Sequence, residues 1–284
     1  MPTVAIFLLF ISAALHTTWN VLLKQAGEKF IASWWTVVIG GVISLAVLLF
    51  IGLPPQTMWV FVFFSVLVEA GYFITLSYAY RDHDFSLVYP LARGTAPAFL
   101  TVWALSFIGE RPTAGGLLGL GMIICGLLVI GAGTLLRSKT KNLHLKGILL
   151  GLMTALIISI YTAIDGAAVK QGHAMAYAFA IFTLIPAAIA PFVLRRYSWP
   201  QLIGSLNQQR ILFLWIGLLG IVSYLIALAA YTFAPLSYSG AIREVSVVMG
   251  AFAGWQFLGE KLGRTRLIGA VIIFAGILAI AFFG

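Results

Sequence analysis

The sequence predicts an all-α integral membrane protein of ten transmembrane helices, arranged as two inverted five-helix repeats. Three observations carry this expectation. The 284 residues are 62% hydrophobic and only 9% charged, with a mean hydropathy of +1.06; a soluble domain is about 45–50% apolar and about 25% charged. Apolar runs long enough to cross a bilayer, about 20 residues each, recur ten times. Finally, the chain matches itself when displaced by 150 positions. The composition excludes a soluble enzyme, a disordered chain and a nucleic-acid-binding domain. The pI of about 9.9 therefore reads as a one-sided excess of Lys and Arg at a membrane, with no nucleic-acid partner.

The ten spans are expected at 3–23, 31–51, 58–80, 86–107, 114–135, 146–169, 174–194, 210–232, 236–258 and 264–283. Turn residues or charge separate them, as in Gly52-Leu53-Pro54-Pro55, Arg81-Asp82-His83-Asp84 and Gly109-Glu110-Arg111-Pro112. The first span lacks the basic start and small-residue cleavage site of a signal peptide, and is read as retained. In the fourth, Pro90 and Pro97 suggest either a hinge or a passive kink. The most polar linker, Arg137 to Lys146, lies near mid-chain. No loop is long enough to hold a soluble domain, so 1–284 reads as one membrane domain. Its first five-helix repeat is expected over 1–136 and its second over 145–284. Cys125, the single cysteine, leaves no disulfide or zinc framework within one chain and is expected buried as a small hydrophobe.

With ten spans both termini lie on one side. Thirteen Lys and Arg fall in loops on the other side; only Arg111 and Lys170 fall in loops on the terminal side. That bias places the charged loops in the cytoplasm of a bacterial-type inner membrane and both termini outside.

The repeat is specific. A displacement of 150 sets Phe107-Ile108-Gly109-Glu110-Arg111 on Phe257-Leu258-Gly259-Glu260-Lys261, Gly119 on Gly269, Gly126 on Gly276, and Arg93 on Arg243. An odd number of spans per repeat turns the second half upside down. Inverted repeats of this kind recur in secondary transporters, with the substrate site between repeats near the midplane. The glycines of the fifth and tenth spans read as packing surfaces.

These residues, the two Gly-Glu-basic turns each followed by a glycine-bearing final helix, resemble the EamA-type members of the drug/metabolite transporter superfamily. The resemblance covers essentially the whole chain. It implies two inverted halves around a central cavity, alternating access, and both termini in the cytoplasm, the reverse of the charge count. The stretch Tyr89-Pro90-Leu91-Ala92-Arg93-Gly94 also resembles family members linked to phosphonate use.

Ionisable groups inside spans usually face a cavity or a partner. Arg93 and Arg243, related by the repeat, read as a clamp for an anionic substrate group; an internal ion pair, such as Arg243 with Glu69 or Asp165, is the structural alternative. Glu69 reads as a proton or amine site, or as half of a fixed salt bridge. Glu244 is expected as an interhelical structural partner. Asp165 and His16 join Glu69 as proton-coupling candidates. Trp19 and Asn20 share a face with His16. Tyr72, Tyr89, Tyr161 and Tyr224 are expected to supply substrate-facing hydroxyls, or apolar packing alone.

No metalloprotease motif, metal-ligand cluster or phosphate-cradling loop occurs in the sequence. The expectation is therefore no enzyme, no cofactor and no metal. It is a secondary active transporter of a small organic metabolite, proton-coupled or exchanging, for an anionic or zwitterionic substrate such as an amino-acid-like compound, organic acid or phosphonate. An amine or drug exporter using Glu69 and a lipid flippase or scramblase remain as alternatives. So do a monomer and a homodimer.

Overall fold

The computed structural model describes residues 1–83, 85–135, 141–257 and 264–284. Asp84, the centre of the mid-chain linker and the Gly259-Glu260-Lys261 turn lie outside the described residues. The described chain is built from helices: α1 (Thr3–Gln25), α2 (Lys29–Ile51), α3 (Trp59–Asp82), α4 (Phe85–Trp103), α5 (Ala114–Leu135), α6 (Lys141–Val169), α7 (Ala174–Leu194), α8 (Trp199–Tyr231), α9 (Leu236–Arg243), α10 (Val245–Phe257) and α11 (Arg264–Phe283). Seven of these elements are long and apolar enough to cross a membrane by length and composition, and α5 and α11 carry shorter apolar stretches. Taken with α9 and α10 as one broken pass, the helices make ten passes.

The helix partners follow the repeat. α5 packs on α11, its counterpart, and α2 on α7. α1 packs on α8 as α6 packs on α3, and α4 on α6 as α9 and α10 pack on α1. The α5–α11 crossing is set by glycine. A Cβ on Gly119 would come within 2.7 Å of the Gly276 carbonyl oxygen, and one on Gly126 within 2.7 Å of that of Gly269. Backbones this close need small residues and bring dispersion contact where lipid offers no hydrophobic driving force.

Several expectations are corrected. The eighth span starts eleven residues early because Trp199–Gln209 is helical and merges with it across a kink at Gln209 (φ −128°, ψ 20°). Pro200 in its first turn leaves no interior hydrogen bond unmade, and the Gln201 side chain accepts the Ser198 N–H at 2.9 Å. The sixth span starts at Lys141, inside the expected linker. Arg81-Asp82 ends α3 instead of forming a loop; the C-terminal carbonyls there gain Lys24, whose ammonium donates to the Tyr80 and His83 oxygens at 2.9 and 3.0 Å. α4 runs on through Pro90 and Pro97 into a wider turn at Ala104–Ile108. The break comes in the repeat-related pass, at Glu244. Cys125 is exposed on the outer surface of α5, because the partner-facing stripe of that helix is the glycine row.

The Gly109-Glu110-Arg111 turn has a physical explanation. Gly109 takes φ 72°, ψ 21°, a left-handed conformation that costs glycine little, and lets the Glu110 N–H reach back to the Ala104 carbonyl at 3.1 Å. The Glu110 carboxylate then crosses to the other repeat. It accepts the N–H groups of Leu236 (2.5 Å) and Ser237 (3.0 Å) and the Ser237 hydroxyl (2.7 Å). A negative group at the start of α9 satisfies free N–H donors and complements the helix dipole.

Candidate functional site

α9 ends and α10 begins at midspan, and the two residues at the break suit it. Arg243 closes the last turn of α9, where a cation is favourable; Glu244 precedes the first turn of α10, where an anion is. Broken helices near the midplane occur in transporters where they line a cavity. Gly240, Arg243 and Glu244, spaced by three and four residues, face one cavity together.

That cavity lies between the repeats and is lined by Arg93, Ser159, Thr162, Tyr231, Arg243 and Glu244 among others. Its free volume is about 10 Å³, room for about one water. That is far smaller than an organic metabolite needs. Arg93 and Glu244 meet at 2.8 Å, both almost fully buried. Arg243 has no such partner. Among the described residues no carboxylate lies within ion-pair distance of it, and its nearest polar contacts are the Tyr231 hydroxyl and His16 Nδ1, each at 3.5 Å. The expected alternative of an internal ion pair is met by Arg93 with Glu244; among the described residues Arg243 is not paired with Glu69 or Asp165.

His16 is held by its own helix. Trp19 Nε1–H donates to His16 Nδ1 at 3.2 Å, which leaves Nε2 as the donor nitrogen of a neutral ring. His16 Nε2, Arg243 Nε and Arg93 Nε are buried without a hydrogen-bond partner among the described residues. Buried donors left open in this way are uncommon in folded proteins; Arg93 and Arg243 line the small cavity, and His16 touches Arg243. Asn20 is occupied: its amide donates to the His16 carbonyl at 2.8 Å and its oxygen accepts the Tyr80 hydroxyl at 2.8 Å. Trp19 and Asn20 thus position His16 and α3, and Trp19 also lines a small apolar pocket with Phe73 and Phe182.

A second polar cluster also lies between the repeats. Glu69 and Asp165 are buried and share the Tyr224 hydroxyl, 2.9 Å from Glu69 Oε1 and 2.7 Å from Asp165 Oδ2. The Ser65 and Tyr177 hydroxyls reach Asp165 Oδ1 at 2.7 and 2.8 Å, and Ser65 is 3.4 Å from Glu69. Tyr72 and Tyr161 stack edge-on with centroids 5.8 Å apart. Tyr161 is buried on α6 and feels the charges of Arg93, Arg243 and Glu69. Tyr89 is buried on α4 beside Thr17 and Ser246.

Sequence reasoning missed Ser65, Tyr177 and Tyr231. Ser65 carries a signal, since it lies one helical turn before Glu69. Tyr177 and Tyr231 stand at helix ends and give none. On the terminal side an open pocket of about 400 Å³ is lined by Glu110, Arg111, Lys170, Phe233, Ser237 and Tyr238. Lys170 approaches Glu110 at 3.5 Å there.

Comparison with known proteins adds to this geometry. The family model described as the EamA-like transporter family matches residues 3–132 and again 145–282. A comparison with curated proteins finds no match. One solved crystal structure superimposes with a TM-score of 0.73 at 17% sequence identity, over 99% of this chain and 97% of the other; at that identity the likeness is one of fold.

Proposed function

From the premise that the chain belongs to the EamA-like transporter family, we propose that it is a secondary active transporter that moves a small organic acid or zwitterion by alternating access. The observation that carries the substrate class is Arg243. It is a buried guanidinium with no carboxylate partner among the described residues, beside the open donors of His16 and Arg93. A guanidinium stays charged, and its planar donors suit a carboxylate or phosphonate. In this reading Arg243 takes the anionic group and His16 Nε2–H adds a neutral donor. The Arg93–Glu244 pair holds the wall. Tyr72, Tyr161 and Tyr231 supply the apolar and hydroxyl surface.

Metabolite sites enclose about 300–1,000 Å³, so the cavity between the repeats must open to load. The terminal-side pocket, with Arg111 and Lys170, is the vestibule that draws an anion towards it. The loop charge bias supports an orientation with both termini outside.

The test is solute counterflow in proteoliposomes with amino acids, organic acids, phosphonates and amines. Uptake of acids or zwitterions, lost in Arg243→Gln, supports the reading. Uptake confined to amines contradicts it and moves the assignment to an exporter using Glu69. Movement of fluorescent lipid without solute uptake would make the protein a flippase or scramblase.

A further inference from the structure

The cluster at Glu69 holds more short contacts than it has hydroxyl hydrogens. Four oxygen–oxygen contacts are short: Ser65 to Asp165 at 2.7 Å, Tyr177 to Asp165 at 2.8 Å, Tyr224 to Asp165 at 2.7 Å and Tyr224 to Glu69 at 2.9 Å. Each is hydrogen-bond length for O–H···O. Three hydroxyls supply three hydrogens, because Ser and Tyr carry one each and an ionised carboxylate carries none. Tyr224 cannot donate to two carboxylates at once. With both acids ionised, one short contact would set two oxygens together with no hydrogen between them.

One carboxyl hydrogen completes the set. Placed on Glu69 Oε1 it is donated to the Tyr224 oxygen, and Tyr224 donates its own hydrogen to Asp165 Oδ2. Asp165 then accepts three hydrogen bonds as a carboxylate, the form that several donors favour. The reverse placement would leave an ionised Glu69 with Tyr224 and the distant Ser65 alone. No Lys or Arg nitrogen lies within ion-pair distance of either carboxylate among the described residues, so no cation takes the hydrogen's place.

We propose that Glu69 and Asp165 hold a single proton, carried on Glu69 and bridged by Tyr224, and that this dyad is the coupling site of the transporter. The coupling role rests on the transport reading above; the proton itself does not. The dyad spans the repeat boundary. Ser65 and Glu69 belong to α3 in the first repeat, and Asp165, Tyr177 and Tyr224 to α6, α7 and α8 in the second. With the proton bound, the hydrogen-bond chain ties α3 to the second repeat. When the site opens and Glu69 passes its proton to water, two carboxylates face each other within two hydrogen-bond lengths and repel. Of the charged or titratable groups around the dyad, Tyr177 on α7 and Tyr224 on α8 touch it, and Arg243 on α9 and Tyr161 on α6 act on it through space. Arg243 is the one cation among them, and a substrate anion on it removes the positive charge that favours release. Substrate binding and proton retention are thereby linked.

Infrared difference spectroscopy on the purified full chain reads the proton directly, through the carbonyl stretch of a protonated carboxylic acid. The expected result is a band at neutral pH in wild type that shifts in D₂O and vanishes in Glu69→Gln. Thermal melting separates the two acids. Glu69→Gln keeps the wild-type midpoint, since the amide N–H replaces the carboxyl hydrogen to Tyr224. Asp165→Asn melts earlier, since an amide cannot accept three donors. Absence of a Glu69-dependent band, or the opposite order of midpoints, overturns the proton assignment. In proteoliposomes, Glu69→Gln is expected to retain solute counterflow and lose all accumulation driven by an imposed pH gradient. Gradient-driven accumulation that survives in Glu69→Gln overturns the coupling role. Should the wild type show no counterflow of any solute, the transport reading fails and the coupling role with it, while the band still decides whether the proton is there.

Discussion

Arg93 and Glu244 form a buried ion pair at 2.8 Å between α4 of the first repeat and the break in the ninth pass of the second. Its neighbour Arg243 lines the same cavity with no carboxylate of its own among the described residues. The repeat makes the two arginines equivalent in sequence, but the second repeat carries Glu244 where the first has Gly94, and Arg93 takes that one carboxylate.

Breaking that pair from one side leaves an unpaired buried charge, which costs about 3–5 kcal/mol. Arg93→Gln and Glu244→Gln should each lower the thermal midpoint in detergent strongly. The double variant should melt later than either single one. A double-mutant cycle on the midpoints reads the coupling.

Arg243→Gln should behave in the opposite way. No ion pair is lost, so the midpoint of the ligand-free protein should fall little or rise. Affinity for an anionic ligand should drop about ten- to hundredfold, the equivalent of a charged hydrogen bond of about 1.5–3 kcal/mol. Equilibrium binding with wild type and variant in parallel checks it.

The α5–α11 seam tolerates no side chain at its crossing. Gly126→Leu would drive a Cβ to within 2.7 Å of the Gly269 carbonyl oxygen, and overpacking of this kind costs about 1–3 kcal/mol or more. Gly121, whose Cβ would meet nothing within 4 Å, is the control. Gly121→Leu should melt with the wild type, and Gly126→Leu earlier.

Glu110 should matter through α9 and little through Lys170. Glu110→Ala removes the acceptor for two N–H groups and a hydroxyl at the helix start, a loss of about 0.5–2 kcal/mol by analogy with N-caps. Lys170→Gln removes only a partly exposed pair at 3.5 Å, worth about 0–1 kcal/mol. Hydrogen exchange of Leu236 and Ser237 should rise in the first variant and stay unchanged in the second.

Much of the fold was legible because a bilayer imposes one periodicity-free rule, about 20 apolar residues per pass, and eight spans start within two residues of where composition puts them. The exceptions have local causes. Trp199–Gln209 is too polar to read as a span, yet it docks through Leu202, whose carbonyl takes the Trp35 indole N–H at 2.8 Å. The break at Glu244 left no proline or glycine beside it, so the prolines of α4 drew the hinge expectation instead. Within the site, charge inside apolar runs was visible and pairing was not. Which carboxylate meets Arg93, and which hydroxyls meet Asp165, depends on helix rotation that a single sequence does not print. Gly109 and Glu110 were recognisable as a repeated turn, but the reason for the glutamate lies in the other repeat.

The most direct test of the account is a thermal-shift screen of the purified protein with amino acids, organic acids, phosphate esters and phosphonates, run beside Arg243→Gln. A ligand bound only by the folded state raises the midpoint with its concentration. The account predicts that anions or zwitterions raise the wild-type midpoint and need about ten- to hundredfold higher concentration to raise that of Arg243→Gln as much. Equal stabilisation of both proteins, or stabilisation by amines alone, would contradict the claim that Arg243 receives the substrate.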